Sequence, residues 1–159
     1  MISPLNDQAL FPEGDGATYL YKISLKKVGM VSERERRPLC GPTDSRLLLA
    51  PLFAEADREL FIVLALDARN RPIGTNITSI GTLSASLVHP REVFKFAILA
   101  NAASIILAHN HPSGDTKASA DDLSLTKRLR QVGDLMGIEV LDHIIFGDTY
   151  SSLREQGAW

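Results

Sequence analysis

Seven consecutive apolar residues, Leu60-Phe61-Ile62-Val63-Leu64-Ala65-Leu66, follow directly on Glu59. The run is too short for a buried helix and apolar on both alternating faces, so it reads as a central strand covered on two sides. A second short run, Ser104-Ile105-Ile106-Leu107-Ala108, has the same character and leads straight into His109-Asn110-His111. A strand has a side-chain period of two, so His109 and His111 point to the same side.

The rest of the chain supplies turns and helices around these strands. Tyr19, Tyr21, Ile23 and Leu25 alternate with Leu20, Lys22, Ser24 and Lys26, which predicts a strand near the N-terminus. Residues 32–38 are a run of mixed charges that reads as a solvated connector. Thr43 or Asp44 is the expected cap of a helix running to Glu55, interrupted or kinked at Pro51. Asp67 to Arg71 is a turn, and Ile73 to Ile80 is the returning strand. Pro90 opens a helix with Val93, Phe96, Ala97 and Ala100 on one stripe, and Leu125, Leu129, Val132 and Met136 mark another. Gly137 ends that helix, and Ile138 to Phe146 forms a further strand. The expected fold class is α/β, a mixed and mostly antiparallel sheet flanked by helices.

Composition narrows the function classes. A chain of 159 residues with 45% hydrophobic and 23% charged residues is a globular protein able to bury its own core. A net charge of −2 carries no electrostatic footprint for nucleic acid, so DNA is not indicated as a partner. The single cysteine, Cys40, excludes an internal disulfide and a multi-cysteine zinc site. No apolar run approaches the roughly 18 residues of a membrane span. The first basic residue is Lys22, which does not suit a secretory n-region, and the expected location is cytoplasmic.

The chemistry centres on the two histidines. Asp122 follows His111 by eleven residues, at the start of a helical pattern that Ser119 can cap. His109, His111 and Asp122 are together a three-ligand set for Zn2+, leaving one position for water, as in a catalytic site. Two imidazoles and a carboxylate also suit iron or manganese. Water activation needs a base that is not itself a ligand. Of Glu59, Glu92, Asp115, Asp121 and Glu139, Glu59 is the choice, because it opens a core strand and shares a face with Phe61 and Val63. If that strand runs antiparallel to 104–109, Glu59 lies at the same sheet edge as the histidines. Glu92 is second, since an acid in a first helical turn also serves plain helix electrostatics. His89 and His143 read as structural, and Asp115 is given no role. A deaminase His-x-Glu with Pro-Cys-x-x-Cys, a His-Glu-x-x-His helix and a phosphate-binding glycine loop are all absent from the sequence.

The pattern His-x-His, seven residues, Ser, two residues, Asp resembles the metal motif of the JAMM (MPN) metalloprotease superfamily. His109, His111, Ser119 and Asp122 match it position for position. From about Leu47 onward the chain resembles the RadC family, through Ser86 to Phe94, Ala108 to Asp115 and Leu141 to Ile145. The resemblance implies a cytidine-deaminase-like/MPN architecture over residues 41–159, with residues 1–40 as a lead-in and strand. It implies zinc on His109, His111 and Asp122, Glu59 as general acid/base, and Ser119 as a donor to the oxyanion. The implied reaction is cleavage of peptide or isopeptide bonds, with a protein or peptide as substrate. Two other readings are a metal-binding accessory module in DNA repair or recombination, and a metal-dependent nuclease. RadC-type proteins usually carry an N-terminal helix-hairpin-helix region, and the 40-odd residues before the matching segment are expected to be too few and too strand-like for one.

Overall fold

The computed structural model describes residues 22–29, 37–81 and 88–159. Its elements in chain order are α1 (Pro42–Phe53), β1 (Leu60–Leu66), β2 (Pro72–Ile80), α2 (Pro90–Leu99), β3 (Ser104–Asn110), α3 (Ala120–Met136), β4 (Glu139–Phe146) and β5 (Tyr150–Ser152). The strands form one sheet in the order β2-β1-β3-β4-β5. β1 pairs antiparallel with both β2 and β3, β3 with β4 is parallel, and β4 with β5 is antiparallel. This is the mixed, mostly antiparallel α/β architecture expected, consistent with an MPN-type fold.

Strand alternation divides the core into two layers. Phe61, Val63, Ala65, Ile105 and Leu107 face α2 and α3, packing with Val93, Phe94, Phe96, Ala97 and Leu129. Ile62, Leu64, Leu66, Ile106, Ala108 and Ile144 face α1 and pack on Leu49. Both faces of β1 and β3 are buried because helices lie on both sides of the sheet, as their unbroken apolar runs require. His109 continues the sequence of positions 105 and 107, so it enters the layer beneath α2 and α3.

Several local expectations change. Lys22 to Gly29 form no strand, and Ile23 and Leu25 are exposed, at 72% and 50%. An alternating pattern makes an apolar face, but a strand also needs a neighbouring backbone to pair with. Tyr19 to Tyr21, residues 30–36 and residues 82–87, including Ser86 and Leu87, lie outside the described residues. Helix α1 is capped at Gly41 rather than Thr43 or Asp44, because Pro42 takes the first helical position, where its missing N–H costs nothing. Asp44 instead accepts a hydrogen bond from the Cys40 main-chain N–H at 2.8 Å. The helix passes through Pro51 and stops at Phe53, short of Glu55. On α3, Leu129 is buried, but Met136 is 44% exposed where the chain turns away at left-handed Gly137. The other buried places on that helix go to Thr126 and Gly133. β5 has no counterpart in the expected elements; it is three residues long, below the length at which alternation is legible.

Candidate metal centre

Three elements converge at the C-terminal end of β3. The antiparallel β1–β3 register sets Phe61 opposite His109, and the Phe61 ring stacks on the His109 imidazole at 6.1 Å between centroids. Glu59 directly precedes β1, at the end of that strand that lies beside the C-terminal end of β3. Asp122 arrives from the first turn of α3. The donor atoms of His109, His111 and Asp122 all lie within 4.8 Å of one another, and this is a group that can hold a metal ion.

Helix capping aims the carboxylate. Ser119 and Asp122 form a reciprocal capping box: Ser119 Oγ accepts from the Asp122 N–H at 3.1 Å, and Asp122 Oδ2 accepts from the Ser119 N–H at 2.8 Å. The Ser119 hydroxyl also donates to Oδ2, at 2.6 Å. Oδ2 is thereby committed to Ser119, and Oδ1 is directed at His109 Nε2, 3.2 Å away. In this arrangement Ser119 spends its only proton on orienting Asp122. Burial raises the Asp122 carboxyl, but hydrogen bonding and charge from His109, with the bonds from Ser119, outweigh it. The net effect holds the group well below the ordinary carboxylate range.

Main-chain carbonyls set the histidine protons. His111 Nδ1 lies 2.8 Å from the Asp115 carbonyl oxygen, which can only accept, so Nδ1 carries the proton and Nε2 presents a lone pair. Asp115, unassigned from the sequence, therefore matters through its backbone. The loop that carries it is closed by an Asp148 N–H bond to the Gly114 carbonyl at 2.9 Å. Gly147 packs there so closely that a Cβ would overlap the Gly114 carbonyl oxygen. His109 is completely buried, and its Nδ1 lies 2.8 Å from Nε2 of His143, itself completely buried. His143 Nδ1 meets the Thr126 hydroxyl at 2.6 Å. Burial is the largest cause pushing His143 well below its ordinary pKa, followed by the charge of His109.

The donor set suits a cation. His109 Nε2 and His111 Nε2 face each other at 3.0 Å, with Asp122 oxygens 3.2 Å and 3.5 Å from them. Donor atoms this close are held together either by a proton on one imidazole nitrogen or by a cation between them. Nitrogen and oxygen donors of this kind match zinc, iron or manganese. The chain's own geometry supports a metal-binding role.

Asn110, between the two histidines, turns the other way. Its Oδ1 accepts from the Leu60 N–H at 2.7 Å and its Nδ2 donates to the Arg58 carbonyl at 3.2 Å. It thus grips the main chain on both sides of Glu59, which is half-buried. Glu92 pairs with Lys95 at 2.7 Å on the exposed side of α2, the helix-surface role noted for it as the second candidate.

Residues 39–158 match the RadC-like JAB domain family. The chain belongs to that family. A UPF0758 protein of Methanosarcina acetivorans is 48% identical over 126 residues, 79% of this chain and 55% of that protein. One from Rubrobacter xylanophilus is 45% identical over 146 residues, 91% of this chain and 64% of its own length. One from Symbiobacterium thermophilum reaches 51% over 123 residues, 77% of this chain and 53% of that protein. The chain thus spans little more than half the length of several curated relatives it matches. Among the described residues no helix is long and apolar enough to cross a membrane.

His143, Thr126 and Asn110 are the site residues that sequence reasoning passed over. Thr126 had a signal, lying four residues after Asp122 and so on the same helical face. His143 lies in the family-like run Leu141 to Ile145 and was read as structural, because its place beside His109 comes from the parallel pairing of β3 with β4.

Proposed function

We propose that this domain is a zinc-dependent hydrolase of peptide or isopeptide bonds. The observation that carries the reading is the convergence of the His109, His111 and Asp122 donor atoms, at the end of the sheet where the strand opened by Glu59 begins. His109, His111 and Asp122 would hold the ion, which when bound supplies Lewis acidity and an acidified water. Glu59 is the general acid/base: it takes the proton of the attacking water and returns it to the leaving amine. Its half-buried setting and the grip of Asn110 on its flanks support that role. Ser119 orients Asp122 and, by turning its O–H toward substrate, would stabilise the developing oxyanion. Protein or peptide is the substrate class, the protein's setting is cytoplasmic, and DNA is not required for the reaction.

The test is purified protein loaded with zinc and assayed against peptide and isopeptide libraries. The expected result is about one equivalent of zinc, lost in His109→Ala, and cleavage abolished in Glu59→Gln with zinc retained. Undiminished cleavage in Glu59→Gln would remove Glu59 as the base. Salt-sensitive DNA binding with no cleavage of any peptide would favour an accessory module instead. Nicking of DNA with added zinc, manganese or magnesium would favour a nuclease.

A further inference from the structure

We propose that Thr126 and His143 form a positioning relay, anchored on the Asp122 main-chain carbonyl, that fixes the tautomer of His109 and presents its Nε2 lone pair to the metal. The inference rests on the metal-centre reading and adds residues that touch neither metal nor substrate.

The argument is a proton count. The Thr126 hydroxyl lies 2.6 Å from the Asp122 carbonyl oxygen and donates to it, because a carbonyl has no proton to give. A threonine hydroxyl has one proton, so its contact with His143 Nδ1 at 2.6 Å must be one in which the imidazole donates. Complete burial disfavours a charged ring at His143, and with its one proton on Nδ1 it has a bare Nε2. That atom can only accept from His109 Nδ1, 2.8 Å away. His109 then carries its proton on Nδ1, and Nε2 is left as a lone pair facing His111 and Asp122.

The opposite arrangement is penalised at its first link. If Thr126 donated to His143 instead, every proton would shift by one place and His109 would present Nε2–H to Asp122 Oδ1, 3.2 Å away, a bond that a cation at the metal position replaces. The Thr126 and Asp122 oxygens would then face each other at 2.6 Å with no proton between them. Thr126, His143 and His109 are at most 2% exposed, so water cannot relieve that contact. Asp122 is therefore used twice, its carboxylate as a ligand and its carbonyl as the far end of the chain that prepares another ligand. Such outer partners are known to set ring orientation and tautomer for metal-bound histidines.

The experiment compares the wild-type chain with Thr126→Val, which keeps the shape and removes the hydroxyl, and with Thr126→Ser, which restores it. Long-range proton–nitrogen NMR of the metal-free protein at mildly alkaline pH reads the histidine tautomers. Competition with a chromophoric chelator reads Zn2+ affinity. The wild type is expected to show the Nδ1–H tautomer at His109. Thr126→Val should lose about 10–100-fold in zinc affinity and gain the Nε2–H form, while Thr126→Ser stays within about threefold of wild type. An Nε2–H tautomer at His109 in the wild type overturns the relay whatever the variants do. Tight zinc binding by both wild type and Thr126→Val also overturns it, leaving the metal centre intact. A wild-type protein that binds no zinc overturns the metal-centre reading and the relay's purpose with it.

Discussion

The side-chain amide of Asn110 holds the main chain on both flanks of Glu59, accepting from Leu60 N–H at 2.7 Å and donating to Arg58 C=O at 3.2 Å. The residue between the two histidines thus fixes the candidate base rather than the metal. Asn110→Ala removes its bonds to two part-buried main-chain groups and should cost about 0.5–1.5 kcal/mol of stability per bond. Cleavage should fall further than zinc affinity does, since neither histidine is touched. Parallel measurement of zinc affinity and kcat checks this, and an equal loss in both would contradict the assignment.

Phe61 closes one side of the centre by stacking on His109, with the planes 9° apart. It is 1% exposed. Phe61→Leu keeps most of the apolar volume but not the flat surface. A loss of about 1–1.5 kcal/mol is expected in denaturant unfolding, with weaker zinc binding because His109 gains rotational freedom. Unchanged zinc affinity would reduce Phe61 to simple packing.

Ser119 links helix stability to ligand geometry. Ser119→Ala removes the cap of α3 and the 2.6 Å bond that occupies Asp122 Oδ2. The capping loss alone is about 1 kcal/mol. Zinc affinity should fall as well, because the carboxylate is freed to rotate. Ser119→Thr should recover both, which calorimetric titration and thermal unfolding can follow together.

Gly147→Ala tests the loop that polarises His111. The added methyl would overlap the Gly114 carbonyl oxygen, a backbone atom that cannot swing aside. Overpacking of this kind costs about 1–3 kcal/mol. The Asp115 carbonyl bonded to His111 Nδ1 belongs to the same loop, so zinc affinity should fall with stability.

The pH dependence of the metal-free protein follows from His143 and Asp122. His143 is pushed well below 6.5, first by burial and then by the charge of His109. Below about pH 6.5 the unfolded chain takes up a proton there that the folded one refuses. This contribution to stability is therefore full above that pH and is lost as pH falls from it, with a slope of at most about 1.4 kcal/mol per pH unit. Asp122, also lowered, contributes stability above about pH 4 that is lost only on further acidification. Denaturant titrations from neutral to mildly acidic pH should show the first slope, and His143→Asn should flatten it. A wild-type midpoint that stays level over that range would contradict a buried neutral His143.

Much of this molecule is legible in its sequence because the relevant periods are local. Two unbroken apolar runs identify β1 and β3, alternation places His109 and His111 on one side, and Ser119-x-x-Asp122 marks both a helix start and a carboxylate. Residues 22–29 show the limit of that reading: the alternating pattern meets no partner strand among the described residues, and these residues form none. Tertiary structure alone decided which polar groups share protons. The parallel β3–β4 register carries His143 from 34 residues away to within 2.8 Å of His109. The antiparallel β1–β3 register brings Asn110 to the backbone around Glu59, across 50 residues. Ligand types and their spacing are properties of short segments. The lone pair that a buried histidine presents depends on hydrogen-bond partners delivered by strand pairing and helix packing.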